Sequence, residues 1–344
     1  MLIGLQFLRC IGCLLVVHAH LTHHYVGYYF LDVFFIVSAF VMGMLMTRPQ
    51  LSQNKFVKDR LTRAVPFYWS LTFIIFAIAL VAPSLLGTGT ADPMHLLKSL
   101  FFIPYENAQG ILSPLLPVAW TMNYEILLYV FSCLAFGLAP RHRLAFVAAA
   151  LIAINFIGRL LVDRYEEALL YAGWYMLDFP LGLLLWHLYE HHRQRLAMSL
   201  RTALTVIALT SAFMLYAEQS LVDHIDRFWL YGLPSTVLIW ATLCCEPHIP
   251  RGRLTTVMVW IGDASFSIYL IHVFVIEAVF KLVPRLLPGF ELSLPVMVLT
   301  FLLSVIAGLL VDRYYDKPLS RWFRDRIERM GPFGRMTPLP AGGR

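Results

Sequence analysis

Long apolar runs dominate this chain and limit what it can fold into. A bilayer core takes a helix of about 20 apolar residues. In lipid, only helices and closed barrels satisfy every backbone polar group. Runs of this kind cover residues 5–24, 27–47, 66–86, 115–138, 143–162, 168–188, 200–217, 229–246, 260–283 and 294–314. They predict an all-α polytopic membrane protein with about ten transmembrane helices. Composition agrees: 14% of the 344 residues are charged, against about 25% in a soluble domain. The longest predicted connection, residues 87–114, leaves no room for a second soluble domain. The expected organisation is one transmembrane domain over 1–317 and a short basic tail over 318–344.

The first run is too polar at its far end for a cleaved signal peptide, so it reads as a retained helix. Cys10, Cys13, Cys133, Cys244 and Cys245 all fall within predicted spans. Cys10 and Cys13 have C-x-x-C spacing, which on a helix in lipid reads as small-residue packing rather than redox chemistry.

Charge predicts orientation. One set of alternate connections, together with the segment after 313, holds 20 of the 27 Lys and Arg residues. The opposite connections hold Lys98, Arg164, Arg227, Lys281 and Arg285. The positive-inside rule then puts both termini in the cytoplasm. The net charge of +6 sits where an anionic inner leaflet attracts it, so no nucleic-acid partner is implied. Membrane lipid is the expected surrounding.

Ionisable residues inside a span are costly and mark function by default. Arg9 and His20 are eleven residues apart, which on an α-helix places them on one face, with His20 about 16 Å further along. His18 points nearly opposite. The bland reading has Arg9 snorkelling to the headgroups and His20 at the interface. His20 and His24 have i, i+4 spacing, but no carboxylate or cysteine with ligand spacing stands nearby, so no metal is expected. Glu125, within "AWTMNYEILLY", must be paired, protonated or facing water; a hydrogen bond to another helix is its structural alternative. Trp120 and Tyr129 flank it. Arg60 and Arg63 are helical neighbours and suit a polyphosphate, or serve as positive-inside anchors. Asp32 and Ser38 in helix 2 are weaker signals, Ser38 through a bond to its preceding turn. Asp178 is placed to satisfy backbone groups freed by Pro180. His272 reads as a packed histidine.

These pieces together resemble the acyltransferase-3 family of bacterial membrane O-acyltransferases, nearest its exopolysaccharide-production acetyltransferases. The family's arginine–ten residues–histidine motif matches Arg9 to His20. Its FF-x-x-SGF matches Phe34 to Phe40, with Ala39 in place of glycine. Its R-x-x-R with a following proline matches Arg60, Arg63 and Pro66. Its tryptophan–glutamate–tyrosine stretch matches Trp120, Glu125 and Tyr129, its YL-x-H matches Tyr269 to His272, and its acidic-x-Pro matches Asp316 to Pro318. The likeness runs in order from residue 5 to about 320.

The resemblance implies transfer of an acyl group, expected to be acetyl, from cytoplasmic acetyl-CoA to a hydroxyl of a glycan or lipid-linked polysaccharide at the bacterial inner membrane. It implies His20 as general base, Arg9 steadying donor or developing charge, and Glu125 orienting His20. It implies Arg60, Arg63 and Ser38 on the donor and Trp120, Tyr129 and His272 on the acceptor. Catalysis is expected in the membrane domain, not in a soluble esterase-like domain of the kind some relatives carry. The rival expectation is a transporter or flippase of lipid-linked glycan; a sensor or assembly subunit with a degenerate site is the second.

Overall fold

The structure, a computed structural model, describes residues 2–22, 30–83, 91–106, 110, 112–165, 168–221, 223–286 and 293–329. His23, His24 and the tail from 330 lie outside the described residues. In chain order the helices are α1 (Ile3–Thr22), α2 (Phe30–Met46), α3 (Gln53–Val81), α4 (Pro93–Leu100) and α5 (Trp120–Ala135). There follow α6 (Pro140–Leu161), α7 (Ala168–Ala172), α8 (Asp178–His192), α9 (Leu200–Ser220) and α10 (Leu233–Cys245). The last are α11 (Arg253–Asp263), α12 (Ser265–Glu277), α13 (Val283–Leu286), α14 (Leu294–Val311) and α15 (Lys317–Arg329). The all-α prediction holds.

Eight helical segments among the described residues are long and apolar enough to cross a membrane. The two remaining predicted spans differ. α2 is apolar but has 17 residues. The span read at 168–188 is broken into α7, a 3-10 turn at Trp174–Leu177 and α8, because Gly173 takes up extended backbone between them. Leu160, Leu209, Leu299 and Leu310 are each more than half exposed, the arrangement of lipid-facing surface.

α1 is one unbroken helix of 20 residues. A helix start leaves N–H groups without partners. Glu246, just after α10, supplies them: its Oε1 accepts from Ile3 N and its Oε2 from Gly4 N, each at 2.7 Å. The carboxylate also suits the positive end of the helix dipole.

α2 is hydrophobic nearly all round and is buried accordingly. One side packs with α5, α6 and α8, the other with α1, α8 and α10. The α2–α8 approach depends on Gly182, where a Cβ would lie 2.2 Å from the Ile36 carbonyl oxygen. Such close helix contacts are the usual role of glycine in membrane bundles.

α3 starts earlier than the apolar run predicts. Ser52 caps it, its Oγ accepting from Lys55 N at 3.3 Å. The helix then continues through Pro66, which removes a single backbone donor. Its first turns, carrying Arg60 and Arg63, therefore extend beyond the apolar segment. α11 and α12 meet at a one-residue break, the buried Ala264. Here Gly262 lies against α1; a Cβ on it would come within 2.4 Å of Gln6 O. In the 91–106 connection, Asp92 caps α4, its Oδ1 accepting from Met94 N at 2.9 Å. The Tyr105 hydroxyl donates to the same carboxyl and, with that N–H, holds it below its ordinary value.

Candidate active site

Three helix junctions build the site. The α11–α12 break sets Ser265 against α1, where Arg9 Nη2 donates to Ser265 Oγ at 3.0 Å. Cys13, one turn further, lies 3.8 Å from Ser265 O. Between α2 and α5, Ser38 Oγ donates to Glu125 Oε1 at 2.5 Å. The Glu125 carboxylate thus has an interhelical partner, and that partner is Ser38. At the start of α3, Arg60 and Arg63 turn toward the same interior space.

These groups line one cavity of about 480 Å³. Arg9, Ser38, Arg60, Arg63, Glu125 and Tyr129 all contribute. The α2 stripe Leu31, Phe34, Phe35, Ser38, Val41 and Met42 forms one wall. From Leu31 to Met44, also in the lining, the helical rise is about 20 Å, so the cavity runs along most of α2. Its basic end holds Arg48, Arg60 and Arg63. Four arginines against Glu125 and Asp263 give the lining a positive balance, suited to a ligand with several negative charges.

His20, His272 and Trp120 are not among the lining residues. The His20 ring faces α12, its centroid 4.9 Å from that of His272 and the planes inclined at 55°. His272 is fully buried. Its Nδ1 lies 3.3 Å from Ile268 O, so Nδ1 carries a proton and donates. Its Nε2 meets no partner among the described residues. Tyr269, in the lining, is one turn before His272, or about 4.5 Å along the axis. The Tyr269 hydroxyl donates to Val118 O at 2.5 Å and ties α12 to the start of α5. Trp120 instead packs with Phe35, Tyr124 and Tyr175.

Asp178 corrects one expectation. Both oxygens of its buried carboxyl group meet no hydrogen-bond partner among the described residues, so it does not satisfy backbone groups freed by Pro180. Asp32 pairs with Arg227, whose guanidinium lies over the Tyr175 and Tyr231 rings. This cluster joins α2, α8 and the turn before α10.

Sequence reasoning missed Gln6, Arg48, Asp263 and Ser265 in the lining. Gln6 is three residues before Arg9, so helical spacing puts it on the same face. Gly262-Asp263 marks the break that delivers Ser265. Arg48 carries no local signal beyond its charge.

The acyltransferase domain model matches residues 2–313. The chain belongs to the acyltransferase-3 family. The family match spans every helix described above except α15, and this member is a multi-pass membrane O-acyltransferase. The chain is similar to the exopolysaccharide production protein ExoZ of Rhizobium meliloti (strain 1021), with 28% identity over 320 residues, 91% of this chain and 96% of that one. It is also similar to the acyltransferase MdmB of Streptomyces mycarofaciens, 26% identical over 277 residues, 72% of this chain and 67% of that one. No solved structure matches.

Proposed function

We propose that the protein transfers an acetyl group from acetyl-CoA to a hydroxyl of a glycan or lipid-linked polysaccharide. The bacterial inner membrane houses it, with both termini and the basic cavity end in the cytoplasm. The observation that carries this reading is the cavity that begins at Arg48, Arg60 and Arg63 and follows α2 inward past Arg9. A coenzyme A thioester is a chain with phosphates at one end and a narrow acyl arm at the other. The arginine end suits the phosphates. The elongated interior suits the arm. Gln6 Oε1 and Arg60 Nε are buried and meet no partner among the described residues, so two lining residues have polar capacity for the donor.

His20 acts as the general base on the acceptor hydroxyl. The oxygen attacks the thioester carbon, the C–S bond breaks and the ester C–O bond forms. The hydroxyl proton passes to His20 and from there to the thiolate of CoA, which leaves as the thiol and returns His20 to its basic form. Arg9, held by Ser265, steadies the donor on its way toward His20. Ser38 and Glu125, hydrogen-bonded to each other, form the middle of the donor passage. Trp120 and His272 frame the acceptor end, with His272 set against the His20 ring, while Tyr129 lies on the donor side with Arg60 and Arg63. Membership of an acyltransferase family favours group transfer over glycan flipping, and the name of the Rhizobium relative favours an exopolysaccharide acceptor.

Two readouts test the reading. Surface polysaccharide from cells with and without the gene, analysed by mass spectrometry, differs by one acetyl group per modified residue. Purified protein in vesicles consumes acetyl-CoA when the glycan is supplied. Identical glycan masses from both cells would refute it.

A further inference from the structure

The first turns of α3 carry the arginines at the cavity mouth, yet lie beyond the apolar segment and are joined to it through Pro66. That proline removes a backbone bond at the joint. α3 is continuous through this joint, but with one bond fewer its backbone alone holds Arg60 and Arg63 less firmly. α15 packs along this part of α3. Lys58 Nζ is 2.5 Å from Glu328 Oε1, and Arg324 Nη2 is 3.6 Å from Asp59 Oδ1. Adjacent residues of opposite sign on α3 thus meet residues of opposite sign one turn apart on α15. Sliding or inverting either helix would bring like charges together, so the pairs select one register.

The other end of α15 is fixed to the catalytic side. Asp316, buried at the α14–α15 joint, accepts from Ser267 of α12 at 2.7 Å and from Ser320 of α15 at 3.2 Å. Ser267 is two residues from Ser265, the partner of Arg9. Arg63 is among the charges that act on Asp316. A set of contacts therefore runs from Arg9 through α12, Asp316 and α15 to Lys58 and Asp59, the residues just before Arg60 on α3.

We infer that α15 is a brace for the donor site: Asp316 anchors it, and its ion pairs to Lys58 and Asp59 position Arg60 and Arg63 for the phosphate end of the donor. The inference rests on the donor reading above. It makes Glu328 and Arg324 positioning residues that never touch substrate.

Glu328→Lys separates the brace from plain electrostatics. It adds positive charge near a polyanion, which by itself lowers KM for acetyl-CoA. Through the brace it sets two lysines against each other and displaces the arginines. Full-length protein in vesicles is assayed for acetyl-CoA dependence, with Glu328→Lys, Lys58→Glu and the double exchange side by side. The brace predicts KM raised about fivefold in each single variant, kcat unchanged, and KM restored to within about twofold in the double. An unchanged or lowered KM in Glu328→Lys, or no recovery in the double, would overturn it. Wild-type protein with no acetyl-CoA-dependent transfer would remove the donor reading itself, and the brace with it.

Discussion

The rings of His20 and His272 sit 4.9 Å apart between α1 and α12. This contact turns His20 toward the bundle interior and away from lipid. His272 donates from Nδ1 to Ile268 O, and its Nε2 meets no hydrogen-bond partner among the described residues. An imidazole with one ring nitrogen free of other partners is a suitable neighbour for a base that gains a proton during turnover. His272→Leu is predicted to lower kcat by about 10²-fold, within the range for acid–base partners. KM for acetyl-CoA stays within twofold of wild type. Steady-state kinetics at varied donor concentration check this; a KM effect alone would place His272 on the donor instead.

Arg9 owes its direction to Ser265. Ser265→Ala removes one charge-assisted hydrogen bond, about 1.5–3 kcal/mol, and is predicted to lower kcat roughly tenfold. Arg9→Ala removes the charge itself and is predicted to abolish measurable transfer while the protein still inserts. Initial rates, with membrane content measured by immunoblot, separate the two.

Arg60→Lys keeps the charge and loses the planar fork. Phosphate binding through that fork predicts KM for acetyl-CoA raised roughly tenfold, about 1.4 kcal/mol. Simple anchoring to headgroups predicts no change. Donor titration at fixed glycan decides between them.

Gly182→Val tests the packing of α2. A Cβ at this position would lie 2.2 Å from Ile36 O, and backbone cannot yield as a side chain can. Overpacking of this kind costs about 1–3 kcal/mol. The predicted result is a lower melting temperature in detergent with activity lost in parallel, since α2 forms one cavity wall. A variant as stable as wild type would show that the α2–α8 approach is looser than this.

The sequence carried the site unevenly, and the reasons are physical. Helical spacing alone puts Arg9 and His20 on one face, and α1 is the continuous helix this needs. Local patterns also expose Ser38, Glu125, Arg60 and Arg63, which share the cavity. Partners were not legible. Arg9 and Ser265 are 256 residues apart, and no local pattern encodes that approach. The pairings of Glu125 with Ser38 and of Asp32 with Arg227 are likewise tertiary. Hydropathy found the spans, but it smoothed over the breaks at Gly173 and Ala264, because single residues hardly change an average over 20. It also began the third span at Pro66, whereas α3 starts at Gln53 in a charged segment that packs against α15.

The most direct test of the account is transfer of labelled acetyl from acetyl-CoA to glycan in membranes containing wild-type protein or His20→Ala, at equal inserted protein. The account predicts labelled glycan with wild type and a rate at least about 10²-fold lower in the variant. Undiminished labelling with His20→Ala would contradict it.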